Sequence, residues 1–185
     1  MIEAFLVSTG VVALAEIGDK TQLLALVLAA RYRKPVPIIL GIWVATIANH
    51  AVAGVVGAWI ASALGEELLR WILGVSFIAM AAWMLIPDKL DDDEEKPARY
   101  GVFVTTLVAF FLVEMGDKTQ IATVALAAHY PSLIAVVIGT TLGMMIANVP
   151  AVYLGEVAAQ KLPMRVVHSV VALVFVVLGV VILVG

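Results

Sequence analysis

Long apolar runs separated by short polar clusters set the rhythm of this chain. The runs cover about 3–30, 36–63, 68–86, 100–128, 132–158 and 165–184. Each matches an α-helix long enough to cross a hydrocarbon core, which takes ~20 residues. Period-two alternation between turns, the mark of a transmembrane barrel, is absent. The pattern predicts an all-α membrane protein with six transmembrane helices.

Two of these runs carry charge in their middles, and they carry it in the same form. Glu16-Ile17-Gly18-Asp19-Lys20-Thr21-Gln22 returns as Glu114-Met115-Gly116-Asp117-Lys118-Thr119-Gln120, six of seven residues identical. Across 16–32 and 114–130 there are ten identities in seventeen positions, ending in Leu-Ala-Ala-x-Tyr both times. The second spans correspond as well: Ile47-Ala48-Asn49 matches Ile146-Ala147-Asn148. The repeat unit is therefore three spans. Because three is odd, the second copy enters the membrane upside down, so the expected fold is two inverted three-helix repeats. Residues 1–86 and 100–185 form the two units, and 87–99 is an acidic cytoplasmic linker. Inverted repeats of this kind build transporters whose binding site lies near the midplane. Counting from Ile2, Glu16 lies fourteen residues in, or roughly 21 Å along a helix at ~1.5 Å per residue.

Composition agrees with lipid as the solvent. Of 185 residues, 63% are hydrophobic and 14% charged, against about 45–50% and 25% in a soluble domain. No cleavable leader with a basic start precedes the first span, which holds the motif and is expected to be retained. Cysteine is absent, which excludes disulfides and thiolate metal sites. Lys and Arg set the orientation. Arg31, Arg33, Lys34, Lys89, Lys96, Arg99, Lys161 and Arg165 fall in three connections on one side, and Arg70 stands alone on the other. That bias puts the basic loops in the cytoplasm and both termini outside.

The motif is costly where it stands. A charged side chain at a helix centre costs about 2.5–3.5 kcal/mol, so six unpaired ones would cost on the order of 15–20 kcal/mol if additive. Packing alone does not call for them. On a continuous helix Glu16 and Asp19 share a face, and Lys20 stands at i+4 from Glu16, as Lys118 does from Glu114. Across a pseudo-twofold axis Glu16, Asp19, Glu114 and Asp117 would converge. With Lys20 and Lys118 balancing charge, the sum is −2, enough to neutralise one divalent cation. Thr21, Gln22, Thr119, Gln120, Asn49 and Asn148 could add neutral oxygens. Such an all-oxygen set suits Ca²⁺, Mn²⁺ or Mg²⁺. Gly18 and Gly116 leave room for close backbone approach or for local unwinding that frees carbonyl oxygens. Metal entry into such a cluster expels protons, which links metal affinity to pH.

Other features are open to plainer readings. Gly54, Gly57, Gly65, Gly139 and Gly143 permit close helix contact in lipid, although glycine is simply common in membrane helices. Pro150 could kink its span. His50 and His168 have no counterparts in the other repeat, which favours ordinary polar contacts, and His129 is expected to be solvated. Trp43, Trp59, Trp71 and Trp83 fit interface or lipid-facing positions.

Glu-x-Gly-Asp-Lys-Thr, present twice in a six-span chain of this size, closely resembles the signature of the manganese/calcium cation–proton exchangers. That family includes bacterial manganese exporters and Golgi cation exchangers and belongs to the lysine-exporter superfamily. The resemblance covers essentially the whole chain and implies Mn²⁺ efflux in exchange for protons, with Glu16, Asp19, Glu114 and Asp117 binding the ion. It implies a bacterial cytoplasmic membrane. No cofactor is expected, and no enzymatic activity, because the motif holds no nucleophile-and-base pair and the loops are too short for a substrate pocket. The transported ions would be Mn²⁺ or Ca²⁺ and protons. Partners are the divalent ion and the bilayer and do not include nucleic acid; nothing indicates an oligomer or forbids one. A Ca²⁺/proton exchanger and a passive divalent-cation channel are the competing readings. The topology has a direct check: alkaline phosphatase fused to the C-terminus in a bacterial host is active, and green fluorescent protein fused there stays dark.

Overall fold

Two glycines with left-handed backbones interrupt what would otherwise be continuous apolar helices. Gly18 has φ +82° and Gly116 φ +77°, values that an L side chain adopts only with strain. The computed structural model describes residues 1–86, 101–154 and 164–185. Among these residues there are eight helices and no strands. They are α1 (Ile2–Ala15), α2 (Lys20–Tyr32), α3 (Pro35–Ala63), α4 (Glu66–Met84), α5 (Val102–Glu114), α6 (Lys118–His129), α7 (Leu133–Leu154) and α8 (Met164–Val184).

The continuous spans expected over 3–30 and 100–128 are thus each two shorter helices. The breaks fall inside the repeated motif and are built alike. Asp19 N–H donates to Glu16 O at 3.1 Å, and Asp117 N–H donates to Glu114 O at 3.1 Å. Asp19 and Asp117 then adopt extended backbones as the N-caps of α2 and α6, at the positive end of each helix; the Asp19 carboxylate accepts from Thr21 N–H, and the Asp117 carboxylate makes no cap hydrogen bond. Four helices are long and apolar enough to cross a membrane by length and composition: Pro35–Ala63, Glu66–Met84, Leu133–Tyr153 and Val166–Val184. The acidic linker and Lys89, Lys96, Arg99 and Lys161 lie outside the described residues.

Packing is reciprocal between the halves. α1 lies along α7 and α5 along α3, while α6 packs on α3 and α2 on α7; α3 and α7 touch each other, and α4 pairs with α8. Half of the apolar window of α3 and of α7 is buried, against 33% for α4 and 28% for α8. The middle helices are therefore central and the last helix of each half peripheral. Phe77 and Phe175 join α4 to α8 with ring centroids 5.9 Å apart. Trp43, Trp59 and Trp71 are exposed, as is His129. Pro150 lies inside α7.

Small residues allow these close approaches. A Cβ added at Gly143 would stand 2.6 Å from Thr9 O and 2.8 Å from Ala13 N of α1, and one at Gly139 would stand 2.6 Å from Phe5 O. Gly57 faces Val124 O of α6, and Gly54 faces Leu133. Gly65 meets nothing within 4 Å, so the close-contact reading does not hold there. Without a hydrophobic driving force between helices in lipid, such van der Waals fit carries the association. Gly143→Val is therefore expected to lower the stability of the detergent-solubilised protein by about 1–3 kcal/mol through overpacking. Gly10→Ala, on open surface, is expected to leave the thermal unfolding midpoint unchanged or raise it.

Candidate cation site

Each helix break brings a glutamate and an aspartate to the same place by ending one helix and starting the next. Glu16 caps the end of α1 and Asp19 opens α2; Glu114 is the last residue of α5 and Asp117 opens α6. All four are buried, none more than 3% exposed. Carboxylate oxygens of Glu16, Asp19 and Asp117 lie within 4.8 Å of one another, a spacing that could hold a metal ion. Glu114 stands beside this trio, within electrostatic range of Glu16 and Asp117.

Hydrogen bonds hold each glutamate by one edge. Thr21 Oγ1 donates to Glu16 Oε2, and Thr119 Oγ1 donates to Glu114 Oε1. Asn148 Nδ2, from α7, donates to the same Glu16 Oε2 at 3.3 Å and to Met144 O at 3.1 Å. Glu16 Oε1, Glu114 Oε2 and Asn148 Oδ1 are buried without a hydrogen-bond partner among the described residues. Buried polar atoms are nearly always satisfied, so three acceptors left open at one acidic cluster fit a site shaped for a cation.

The glutamines serve the breaks themselves. Gln22 Oε1 accepts from Gly18 N–H at 2.9 Å and Gln120 Oε1 from Gly116 N–H at 2.7 Å. Gln22 Nε2 also donates to Ala147 O of α7 at 3.1 Å. Asn49 Nδ2 donates to Phe111 O at 3.1 Å, tying α3 to α5. In this arrangement Gln22, Gln120 and Asn49 brace the backbone around the acids.

The lysines depart from the i,i+4 pairing that their spacing suggests. Because the chain is broken between Glu16 and Lys20, Lys20 Nζ reaches instead to Asp117 Oδ1, 3.1 Å away in the other motif. Lys118 Nζ donates to Ile86 O at 3.1 Å and lies 5.9 Å from the Trp83 ring centroid. The two copies of one motif thus send their ammonium groups in different directions. Sequence reasoning also set His50 aside. It is fully buried on α3 with Nε2 3.8 Å from Glu114 Oε1, and neither ring nitrogen has a hydrogen-bond partner among the described residues. Its signal was adjacency to Asn49 within the repeated Ile-Ala-Asn triplet.

The profile of the family described as "Divalent cation/proton antiporter GDT1" matches residues 4–92 and 102–185. A Vibrio cholerae serotype O1 protein named "Putative manganese exporter" is 54% identical over 167 residues, 90% of this chain and 83% of that one. A GDT1-like protein of Synechocystis is 29% identical, covering 95% of this chain and 94% of its own. GDT1-like protein 3 of Arabidopsis thaliana is 27% identical, covering 95% and 68%. No solved structure matches the chain. With its profile matched across both halves, the chain belongs to the GDT1 family of divalent cation/proton antiporters.

Proposed function

We propose that this chain exports Mn²⁺ from the cytoplasm in exchange for protons, by exposing one acidic site alternately to the two sides of a bacterial cytoplasmic membrane. The observation that carries this reading is the meeting of Glu16, Asp19 and Asp117, from both motif copies, within 4.8 Å at two helix breaks. Mn²⁺ is put first because a relative 54% identical to this chain has manganese export in its name. The donor set itself is compatible with Mn²⁺ and with Ca²⁺.

The reciprocal packing of α1 on α7 and α5 on α3 supports two inverted halves, each crossing the membrane as a broken helix followed by two whole ones. Glu16, Asp19, Glu114 and Asp117 then receive the ion, and Thr21, Thr119 and Asn148 orient the glutamates. Lys20 holds Asp117 when no ion does. A divalent ion arriving at Asp117 displaces that ammonium group, and protons leave the carboxylates as it binds. Half-helix N-termini at Asp19 and Asp117 match the discontinuous helices from which secondary transporters build midplane sites.

Purified protein in liposomes tests this reading. Mn²⁺ entry is expected to alkalinise the lumen as protons leave, and an imposed pH gradient drives Mn²⁺ against its own gradient. Mn²⁺ flux that ignores the pH gradient would mean a channel. Asp117→Asn and Asp19→Asn are expected to abolish flux, at least a hundred-fold below the unmodified protein, while membrane insertion and yield are unchanged. Lys20→Gln removes a competitor for Asp117. Hydrogen bonds to charged groups contribute about 1.5–3 kcal/mol, so half-saturation for Mn²⁺ is expected to fall by roughly ten-fold. Turnover is expected to slow as ion release becomes harder.

A further inference from the structure

The four carboxylates and their hydroxyl and amide neighbours offer oxygen alone, and oxygen distinguishes poorly between Mn²⁺ and Ca²⁺. A nitrogen donor stands next to one of them, Glu114, outside the Glu16–Asp19–Asp117 trio. His50 is 0% exposed, its Nε2 is 3.8 Å from Glu114 Oε1, and both ring nitrogens lack a hydrogen-bond partner among the described residues. Glu114 Oε2 also lacks one, while Oε1 is held by Thr119. A buried imidazole that bonds to nothing is costly, and a separation of 3.8 Å is too long for a hydrogen bond. It does suit two donors flanking one ion: with metal–oxygen bonds of about 2.1–2.4 Å, neighbouring ligand atoms stand roughly 3–4 Å apart.

We propose that His50 is an inner-sphere ligand of the transported ion, acting with Glu114, and that it biases the site toward a transition-metal ion over Ca²⁺. The inference rests on the cation-transport reading above. Imidazole is a good ligand for first-row transition metals and a poor one for Ca²⁺, which takes oxygen. The preference is built into one half: Asn49 is followed by His50, whereas its counterpart Asn148 is followed by Val149. Asn148 instead reaches Glu16 directly. The two glutamates therefore have different neighbours, an amide donor at Glu16 and an open imidazole at Glu114.

The test separates this inference from the reading beneath it. The full-length protein in nanodiscs, loaded with less than one equivalent of Mn²⁺, is examined by electron spin-echo envelope modulation. Hyperfine coupling to a directly bound imidazole nitrogen is expected. It should change when histidine nitrogen is isotopically replaced and vanish in His50→Gln, but persist in His129→Gln and His168→Gln. Bound Mn²⁺ without that coupling overturns the ligand role and leaves the transport reading standing; no bound Mn²⁺ and no flux in the unmodified protein overturns both. In liposomes, His50→Gln is expected to lower the preference for Mn²⁺ over Ca²⁺ by about ten-fold while Ca²⁺ flux persists. Equal loss of both fluxes marks a merely structural residue and overturns the selectivity.

Discussion

A carboxylate in a low-dielectric interior needs partners, and the fold meets that demand by breaking two helices at the point of need. An unbroken helix offers a buried acid nothing from its own backbone, since every N–H there is already engaged. A helix start offers free N–H groups and the positive end of a dipole. Gly18 and Gly116 create such starts deep in apolar sequence, and Asp19 and Asp117 are their N-cap residues; the Asp19 side chain accepts from Thr21 N–H, while Asp117 makes no side-chain cap hydrogen bond and pairs with Lys20 instead. The hydroxyls of Thr21 and Thr119 then turn back onto Glu16 and Glu114. The motif is thus one unit of backbone and side chain, which explains why its glycine, aspartate, threonine and glutamine recur together.

The close helix packing follows from the same demand. A broken helix loses hydrogen bonds along its axis and has to be held from outside. α7 holds the first break, with Gly139 and Gly143 letting α1 approach its backbone and Ala147 O receiving Gln22. α3 holds the second, with Gly41 set against α5 and Gly57 against α6. The small residues of the middle helices thereby serve the acidic cluster as well as the fold.

Much of this was legible in the residues. Duplicated Glu-x-Gly-Asp-Lys-Thr inside apolar runs singled out acids that lie buried near one another, and four of the five glycines singled out lie at close helix contacts; Asn49 and Asn148, read as neutral oxygen donors, donate through Nδ2 to Phe111 O and to Glu16. The breaks were legible only as an option, because Glu16, Asp19 and Lys20 also have the spacing of one helix face and a glycine in a membrane helix does not by itself dictate a positive φ. The pairing of Lys20 with Asp117 was out of reach, since it joins residues far apart in sequence and depends on how the halves meet. His50 was passed over because it breaks the repeat, and a search for matching pairs discounts what is unmatched.

Gln22 and Gln120 do the same local task and differ beyond it. Gln22 clasps the Gly18 turn with its carbonyl and donates to the α7 main chain with its amide, which joins the turn that carries Asp19 to α7. Gln120 clasps its own turn and has no such grip among the described residues. The first turn is therefore tied to its neighbouring helix by a side chain of the motif itself, whereas the second break is held from α3, by Asn49 on Phe111 O and by the close approach of Gly57 to α6.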